Sequence, residues 1–315
     1  MASVGRTQVV SETDGAVTWE IATRGPAPAL RPYIRDFCGY TERGLPGLVR
    51  RTEFPGVQVV VIFDFGPDIT VCDNRDRHRP CRFPGGFVAG LDDRYTFVEH
   101  EGTQRGLQLN LTPLGARLFF DRPMSELSGR VVQVSDLLPR ACRSLTDRLA
   151  SLRDWDARFD VVERLVTQRV SEARELNPVV TWAYREIERH NGSVEMRRLT
   201  RESGYSPTHL IALFRDQVGL PPKLVARLTR FERLVRHLRT GPTETLASLA
   251  ADFGYYDQAH LVRDMREFAG MTPTQVRTLI QETPGGTMFE TLRASQVSPG
   301  VVSDSTVLQV DGYAS

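Results

Sequence analysis

Three polar side chains near the C-terminal end of the chain have the types and spacing for directed hydrogen bonding. They are Gln258, Arg263 and Arg266. Glutamine amides and arginine guanidinium groups make paired hydrogen bonds to planar groups, and the base edges in the major groove of DNA are such groups. We expect these side chains on the exposed face of a helix over 257–268, whose opposite face is apolar.

A second copy of this segment lies about fifty residues upstream. The matching stretches are LTRESGY at 199–205 and LAADFGY at 249–255, followed by HLIALFRDQVGL from His209 and HLVRDMREFAGM from His260. A single copy of such a pattern would be weak evidence, whereas a repeat indicates one structural unit used twice.

Each copy has the signals for a helix, a sharp turn and a second helix. Glycine tolerates the left-handed conformation that ends a helix, and Ser206 and Asp257 are suited to cap the next one. We expect Ser193 and Thr243 to cap the first helix of each unit. The repeat therefore predicts two helix-turn-helix units, with second helices over 207–218 and 257–268.

The segment between the units reads as one long helix. Residues 222–239 carry apolar residues at helical spacing. As a helix, this segment would extend ~27 Å. A rigid helix of this length could hold two groove-filling helices about one duplex turn, ~34 Å, apart.

Charge agrees with this interpretation. The chain has a formal net charge of +1, but residues 178–281 contain 15 Lys and Arg against 11 Asp and Glu, a difference of +4. A cationic bias favours a polyanionic partner, although this excess alone is small.

Composition excludes several other classes. The 315 residues contain 40% hydrophobic residues and no run long enough for a membrane span, and the N-terminus lacks signal-peptide order. We therefore expect a cytoplasmic protein with reduced cysteines, no membrane association and no cofactor.

The first part of the chain reads as β-rich. Short strand-like segments separated by Gly and Pro turns predict a small barrel or sandwich over about 18–135. Apolar stripes over 136–176 predict helices. The stripes fit packing in the core of the chain, and the alternative is a dimerising helix pair. The fold class is thus α+β: a β-barrel-like domain with helices, then an all-α domain.

The two motifs and the connecting helix resemble the AraC/XylS family of bacterial transcription regulators over about 178–281. The resemblance rests on GYSPTHLIALFRDQVGLPP (204–222), LVARLTRFERL (224–234) and GYYDQAHLVRDMREFAGMTPTQVR (254–277). It implies a seven-helix DNA-binding domain with two helix-turn-helix units joined by a linker helix, a non-enzymatic function and double-stranded DNA as partner. RNA polymerase would be a further partner of an activator, and a homodimer is a further option.

The family's base-reading positions fall on six residues of this chain: Thr208, Ile211, Ala212, Gln258, Ala259 and Arg263. Ile211 and Ala212 cannot hydrogen-bond to bases, although they can contact thymine methyl groups. We therefore expect the second unit to read sequence, and the first to contact phosphates through Arg215 and its helix N-terminus.

Some nearby residues have two interpretations. His209 and His260 fit a structural hydrogen bond at the turn or a base contact, and Arg215 and Arg266 fit a phosphate contact or an acid partner. Asp264 would repel phosphate if exposed, so we expect it to face an arginine.

The first part also resembles, more loosely, the cupin-like sensing domains of such regulators. Cupin enzymes cluster metal ligands, whereas this region has only His78 and His100, which disfavours a metal site. A small-molecule effector would occupy a pocket lined by seven apolar residues: Phe54, Val59, Val61, Phe63, Phe97, Leu107 and Leu109. A filled core is the alternative for each of them.

Two other functions stay open. One is an enzyme–regulator fusion in which Cys81, in RPCRF, accepts an alkyl group. The other is a small-molecule binding protein whose helical part serves assembly. The expected organisation is a sensing and oligomerisation domain at 1–176, a DNA-binding domain at 177–282 and a disordered tail at 283–315.

Overall fold

A computed structural model of the chain describes residues 6–73, 80–138, 142–240 and 244–282. Its strands are β1 (Gln8–Asp14), β2 (Val17–Arg24), β3 (Ile34–Arg43), β4 (Val49–Glu53), β5 (Val59–Asp64), β6 (Thr70–Asp73), β7 (Cys81–Arg82), β8 (Phe87–Ala89), β9 (Thr96–His100), β10 (Gln104–Leu111) and β11 (Val131–Gln133). The expected tail at 283–315 lies outside the described residues.

Helices follow the strands. They are α1 (Pro113–Phe120), α2 (Val134–Leu137), α3 (Cys142–Ser151), α4 (Trp155–Glu172), α5 (Pro178–Arg189), α6 (Met196–Ser203), α7 (Pro207–Val218), α8 (Pro222–Thr240), α9 (Leu246–Asp252), α10 (Gln258–Ala269) and α11 (Pro273–Glu282). Short 3-10 turns occur at Pro28–Leu30 and Met124–Glu126. The predicted order of a β-rich part and then an all-α part is confirmed.

The strands form two antiparallel sheets. One has seven strands in the order β1-β2-β3-β10-β5-β8-β11, and the other has four in the order β4-β9-β6-β7. In the part of the chain that is described, the strands do not close into a barrel: they form two separate sheets. The strands from β3 to β11 all lie within the part, about 18–135, that the sequence predicts to be β-rich.

The large sheet is covered on both faces. Odd-numbered residues of its central strands, such as Phe63 and Leu109, belong to the large core that also contains Phe159 of α4. Even-numbered neighbours such as Ile62 pack with Val71 and Val98 of the small sheet. Since successive side chains on a strand point to opposite faces, helices fill one side and the second sheet fills the other.

One close contact fixes a helix of the first part on the sheet. A Cβ atom on Gly39 of β3 would lie 2.2 Å from the Trp155 ring, so only glycine leaves room for the start of α4. The indole Nε1 of Trp155 donates to the Glu20 carboxylate at 2.8 Å. The stripe on α4 is therefore used within the chain, in the core with Phe159 and Val162.

The β-rich part and the helical part also pack on each other. The Met124–Glu126 turn and α1 both contact α7. Ser128 donates its hydroxyl to the carbonyl oxygen of Gly219, just after α7, at 2.7 Å. The first helix-turn-helix unit thus rests on the β-rich part through the C-terminal end of α7.

Candidate nucleic-acid interface

The first helix-turn-helix unit consists of α6 and α7. Gly204, at the C-cap of α6, has φ 70°, the left-handed conformation expected of a helix terminator. The Ser206 side chain accepts a hydrogen bond from the amide of His209 at 3.3 Å, and Pro207 opens the helix. The expectation that Ser193 caps α6 is wrong, because Glu195 occupies the N-cap position and makes no side-chain cap hydrogen bond.

The second unit consists of α9 and α10. Asp257 caps α10 by accepting the amide of His260 at 2.7 Å. Thr245 caps α9, accepting the amide of Ser248 at 3.2 Å. Thr243, which the sequence suggested as the cap, lies outside the described residues. The turn glycine Gly254 has φ 72°. The two units share the same local geometry, as the repeat predicts.

Both second helices divide into a buried and an exposed side. The buried residues are Leu210, Phe214 and Val218 on α7, and Leu261, Met265 and Phe268 on α10. The exposed residues are Thr208, His209, Ala212 and Arg215 on α7, and Gln258, Ala259, Arg263 and Arg266 on α10. Ile211 and His260 are half-buried. The structure therefore leaves the residues chosen from the sequence at the surface.

In the described part of the chain, three exposed arginines of α7 and α10 are not paired with the protein's own acids. Among the described residues, Arg215, Arg263 and Arg266 form no ion pair, whereas Asp264 and Glu267 beside them bind Arg227 of α8. The prediction that Asp264 faces an arginine is confirmed. With these acids neutralised, the exposed side of α10 presents cationic and amide groups.

The two turn histidines have matching contacts. His209 packs edge-on against Tyr205 with ring centroids 4.7 Å apart, and His260 does the same with Tyr255 at 5.4 Å. The amide of Tyr256 also lies 3.4 Å from Nδ1 of His260. These contacts give His260 and His209 structural roles in their turns, while the ring of His209 stays exposed.

The linker helix α8 uses its arginines internally. Arg230 donates to the carbonyl oxygen of Gly192 at 2.7 Å and lies over the Tyr255 ring. Arg236 pairs with Glu232 at 3.0 Å. Arginines recur at every third residue of α8 from Arg227 to Arg239. Because an α-helix has 3.6 residues per turn, this spacing drifts around the helix, and these arginines do not form a single face for DNA.

The β-rich part contains a cavity of about 140 Å³ between the two sheets. Its apolar wall is formed by Val60, Ile62, Ile69, Val71, Phe87 and Val98. Of the seven residues expected to line a pocket, only Phe54 does so. Val59, Val61, Phe63, Leu107 and Leu109 lie in the core against the helices, because they are on the opposite face of β5 and β10. Phe97 packs edge-on against Tyr95.

Three polar residues in the cavity wall were not found from the sequence. Gln104 and Gln108 of β10 are each 2% exposed, and Glu53 ends β4. One side-chain oxygen of each is buried without a hydrogen-bond partner. Burial raises the pKa of Glu53 to about 7, although Arg51 and Arg239 lower it in part. In β10, glutamine alternates with apolar residues. This pattern by itself predicts a solvent-exposed polar face and not a cavity wall.

The cavity wall also touches the helical part. Phe54 meets Phe231 of α8 edge-on with ring centroids 6.2 Å apart, and the Val57 amide donates to Glu232 at 3.2 Å. A Cβ atom on Gly270, at the C-cap of α10, would lie 2.6 Å from the Tyr95 ring. Two segments beside the cavity therefore reach α8 and the end of α10.

Other chemistry considered from the sequence concerns metal ligands, Cys81 and the membrane. The described residues contain no group of three potential metal ligands, and burial lowers the pKa of His100 to about 3, so it is neutral at pH 7. Cys81 is exposed on β7, and His78 lies outside the described residues. None of the described helices is both long and apolar enough to span a bilayer.

Two sequence families match the chain. The family described as "Helix-turn-helix domain" matches residues 199–278, from α6 to α11. A "Domain of unknown function (DUF6597)" matches residues 22–133, which contain most of both sheets. No curated protein matches the chain significantly.

Solved structures of several regulators are similar in part. ToxT from Vibrio cholerae is 8% identical, with a TM-score of 0.44 over 77% of this chain and 98% of its own. The C-terminal domain of AraT from Geobacillus stearothermophilus is 20% identical, with a TM-score of 0.31 over 33% of this chain and 88% of its own. The AraC-like transcriptional activator CuxR is 16% identical, with a TM-score of 0.30 over 73% and 86%. At these values the likenesses carry no functional conclusion.

Proposed function

We propose that this chain is an AraC-family regulator that binds double-stranded DNA sequence-specifically through the helix-turn-helix domain matched at residues 199–278 and responds to a small-molecule effector. The observation that carries the proposal is the exposed side of α10. It presents Gln258, Arg263 and Arg266 together, while Asp264 on the same helix is buried against Arg227.

Sequence reading belongs mainly to the second unit. Arginine and glutamine make bidentate hydrogen bonds to guanine and adenine in the major groove, and α10 offers both side chains. On α7 the central positions are Ile211 and Ala212, which offer only apolar contact. Arg215 and the N-terminal amides of α7 supply phosphate contacts, which fix position without reading bases.

The experiment compares Arg263→Ala with Arg215→Ala, two exposed arginines on the second helices of the two units. Affinities for a selected specific duplex and for random duplex are measured at several salt concentrations. Arg263→Ala should cost ~1–3 kcal/mol on the specific duplex and much less on random DNA. Arg215→Ala should weaken both similarly and reduce the salt dependence. Equal losses for Arg263→Ala on both duplexes would contradict base reading.

The effector response is supported by where the cavity lies. The segment at 53–57 lines the cavity on one side and packs on the linker helix with Phe54 and Val57 on the other. Phe231 in turn packs edge-on against Phe268 of α10, with ring centroids 5.3 Å apart. A change in the cavity wall would therefore reach the reading helix through contacts already formed.

The organisation proposed for the chain is a sensing part at 1–176 and a DNA-binding part at 177–282. Should the protein activate transcription, RNA polymerase would be a partner, and a homodimer would let one protein pair read a longer site. Neither partner is needed for the Arg263 experiment, which uses the purified chain and DNA alone.

A further inference from the structure

The wall of the cavity between the sheets combines two kinds of chemistry. Most of it is apolar, with Ile62, Ile69 and Val98 each less than a tenth exposed. The exceptions inside it include three acceptor oxygens, Oε1 of Glu53, Gln104 and Gln108, which are buried without a hydrogen-bond partner, and the wall also holds the buried hydroxyl of Tyr40. Buried acceptors without a donor are costly, and native proteins rarely keep them unless another molecule supplies the hydrogen.

The arrangement of Gln108 shows which of its atoms is available. Its Nε2 donates to Oδ1 of Asn110 at 2.8 Å, and the Asn110 amide donates to Asp36. This chain of hydrogen bonds fixes the orientation of the Gln108 amide, uses one of its two Nε2 hydrogens and leaves Oε1 as a buried acceptor. A molecule that satisfies this oxygen must donate a hydrogen bond to it.

Charged groups around the cavity argue against an ionic ligand. Arg94 and Arg130 line it but are exposed, so water solvates them. The guanidinium of Arg51 beside Glu53 already binds both oxygens of Glu42 at 2.7 and 2.9 Å. No buried residue among those that line the described cavity is a cation, so an anionic head group finds no buried partner in the wall. Burial raises the pKa of Glu53 to about 7, so its carboxyl is only partly ionised at neutral pH and is a weak partner for a cationic ligand.

The size of the cavity sets the size of the ligand. At about 140 Å³ it is close to a cavity that accepts one benzene ring. We propose that this cavity binds a small uncharged molecule with an apolar body and a hydroxyl or N–H donor, held by Gln104, Gln108 and Glu53. This deepens the proposed effector response and rests on it for its biological meaning.

The test uses three probes of one ring size that differ in their head groups: toluene, benzyl alcohol and benzoate. Binding to the full chain is followed by NMR of isotope-labelled isoleucine methyl groups. Ile62 and Ile69 line the cavity, and Ile34, in the core on the other face of the sheet, is the control. Water as the natural occupant is tested at the same time, because a cavity that serves only water gives no probe-dependent shift.

An apolar cavity would favour toluene, since burying a hydroxyl without a partner is unfavourable. The unpaired acceptors should reverse that order, so benzyl alcohol binds tighter than toluene and benzoate binds weakest. In Gln104→Leu/Gln108→Leu the alcohol should lose about tenfold in affinity and toluene should not. The methyl signal of Ile34 shows whether the double variant folds. Glu53→Gln keeps the shape of the side chain and is the second variant, in which the affinity for the alcohol should fall by less.

Three results would overturn the proposal: toluene binding tightest to the unmodified chain, benzoate binding tightest, or no probe shifting Ile62 and Ile69 at millimolar concentration. All measurements are made without DNA. A failure here therefore leaves the Arg263 experiment unaffected, and a failure of that experiment leaves this cavity chemistry standing.

Discussion

Replacing Arg227 by methionine tests how the second reading helix is held on the linker helix. Arg227 of α8 donates to Asp264 at 2.8 Å and to Glu267 at 3.1 Å, and it lies over the Phe268 ring at 4.7 Å. The Asp264 side chain is only 1% exposed. Methionine retains much of the apolar stem but removes the charge, so Asp264 loses its principal partner.

The magnitude follows from burial. Removing one partner of a buried ion pair costs about 3–5 kcal/mol, because the other charge stays buried. A value at or just below the lower end applies here, since the Arg227 side chain is 21% exposed and His260 lies 3.8 Å from Asp264 as a weaker substitute. We expect Arg227→Met to lower the free energy of unfolding of the helical part by ~2–3 kcal/mol.

A double substitution separates the charge effect from lost packing. Arg227→Met combined with Asp264→Asn leaves no uncompensated charge, so it should recover at least half of the loss. Urea unfolding followed by Trp182 fluorescence gives the stability, and hydrogen exchange of the α10 amides gives the local effect. A loss below about 0.5 kcal/mol for Arg227→Met, or a strictly additive double variant, would refute the reasoning.

Two further predictions concern the turns and the cavity. Gly254→Ala should destabilise more than Gly204→Ala: both glycines have left-handed φ, but a Cβ on Gly254 would lie 2.2 Å from Oγ of Ser193, and one on Gly204 meets nothing within 4 Å. Thermal unfolding of both variants, with Ser193→Ala as rescue, checks this. Burial raises the pKa of Glu53 from 4.5 to about 7, so folding favours its protonated form. Stability should therefore fall as pH rises from 4.5 towards 7, by at most ~3 kcal/mol, and Glu53→Gln should remove that component from urea titrations. If the dependence of the free energy of unfolding on pH is unchanged in Glu53→Gln, that dependence belongs to Asp64, whose pKa burial also raises to about 7.

The helix-turn-helix units could be predicted from sequence because their signals are local. A cap such as Asp257 binds an amide three residues ahead, and a helix-ending glycine acts through its own φ. The exposure of Arg263 follows from helical spacing against Leu261 and Met265. The expected cap Ser193 failed for a related reason, since several polar residues near the start of α6 could serve and spacing alone does not choose between them.

The cavity could not be predicted because it depends on what covers each face of a sheet. Alternation along β5 and β10 separates two sets of side chains, and the sequence suggested that the set with Val61 and Leu109 faced a ligand. In the structure helices cover that set, while the small sheet covers the glutamine-bearing set. Sequence alone thus determined two capped helix pairs and their outward arginines. Only tertiary structure decided which side of the sheet became core and which became cavity, because β4, β6 and β9 reach that side through pairings distant in the chain.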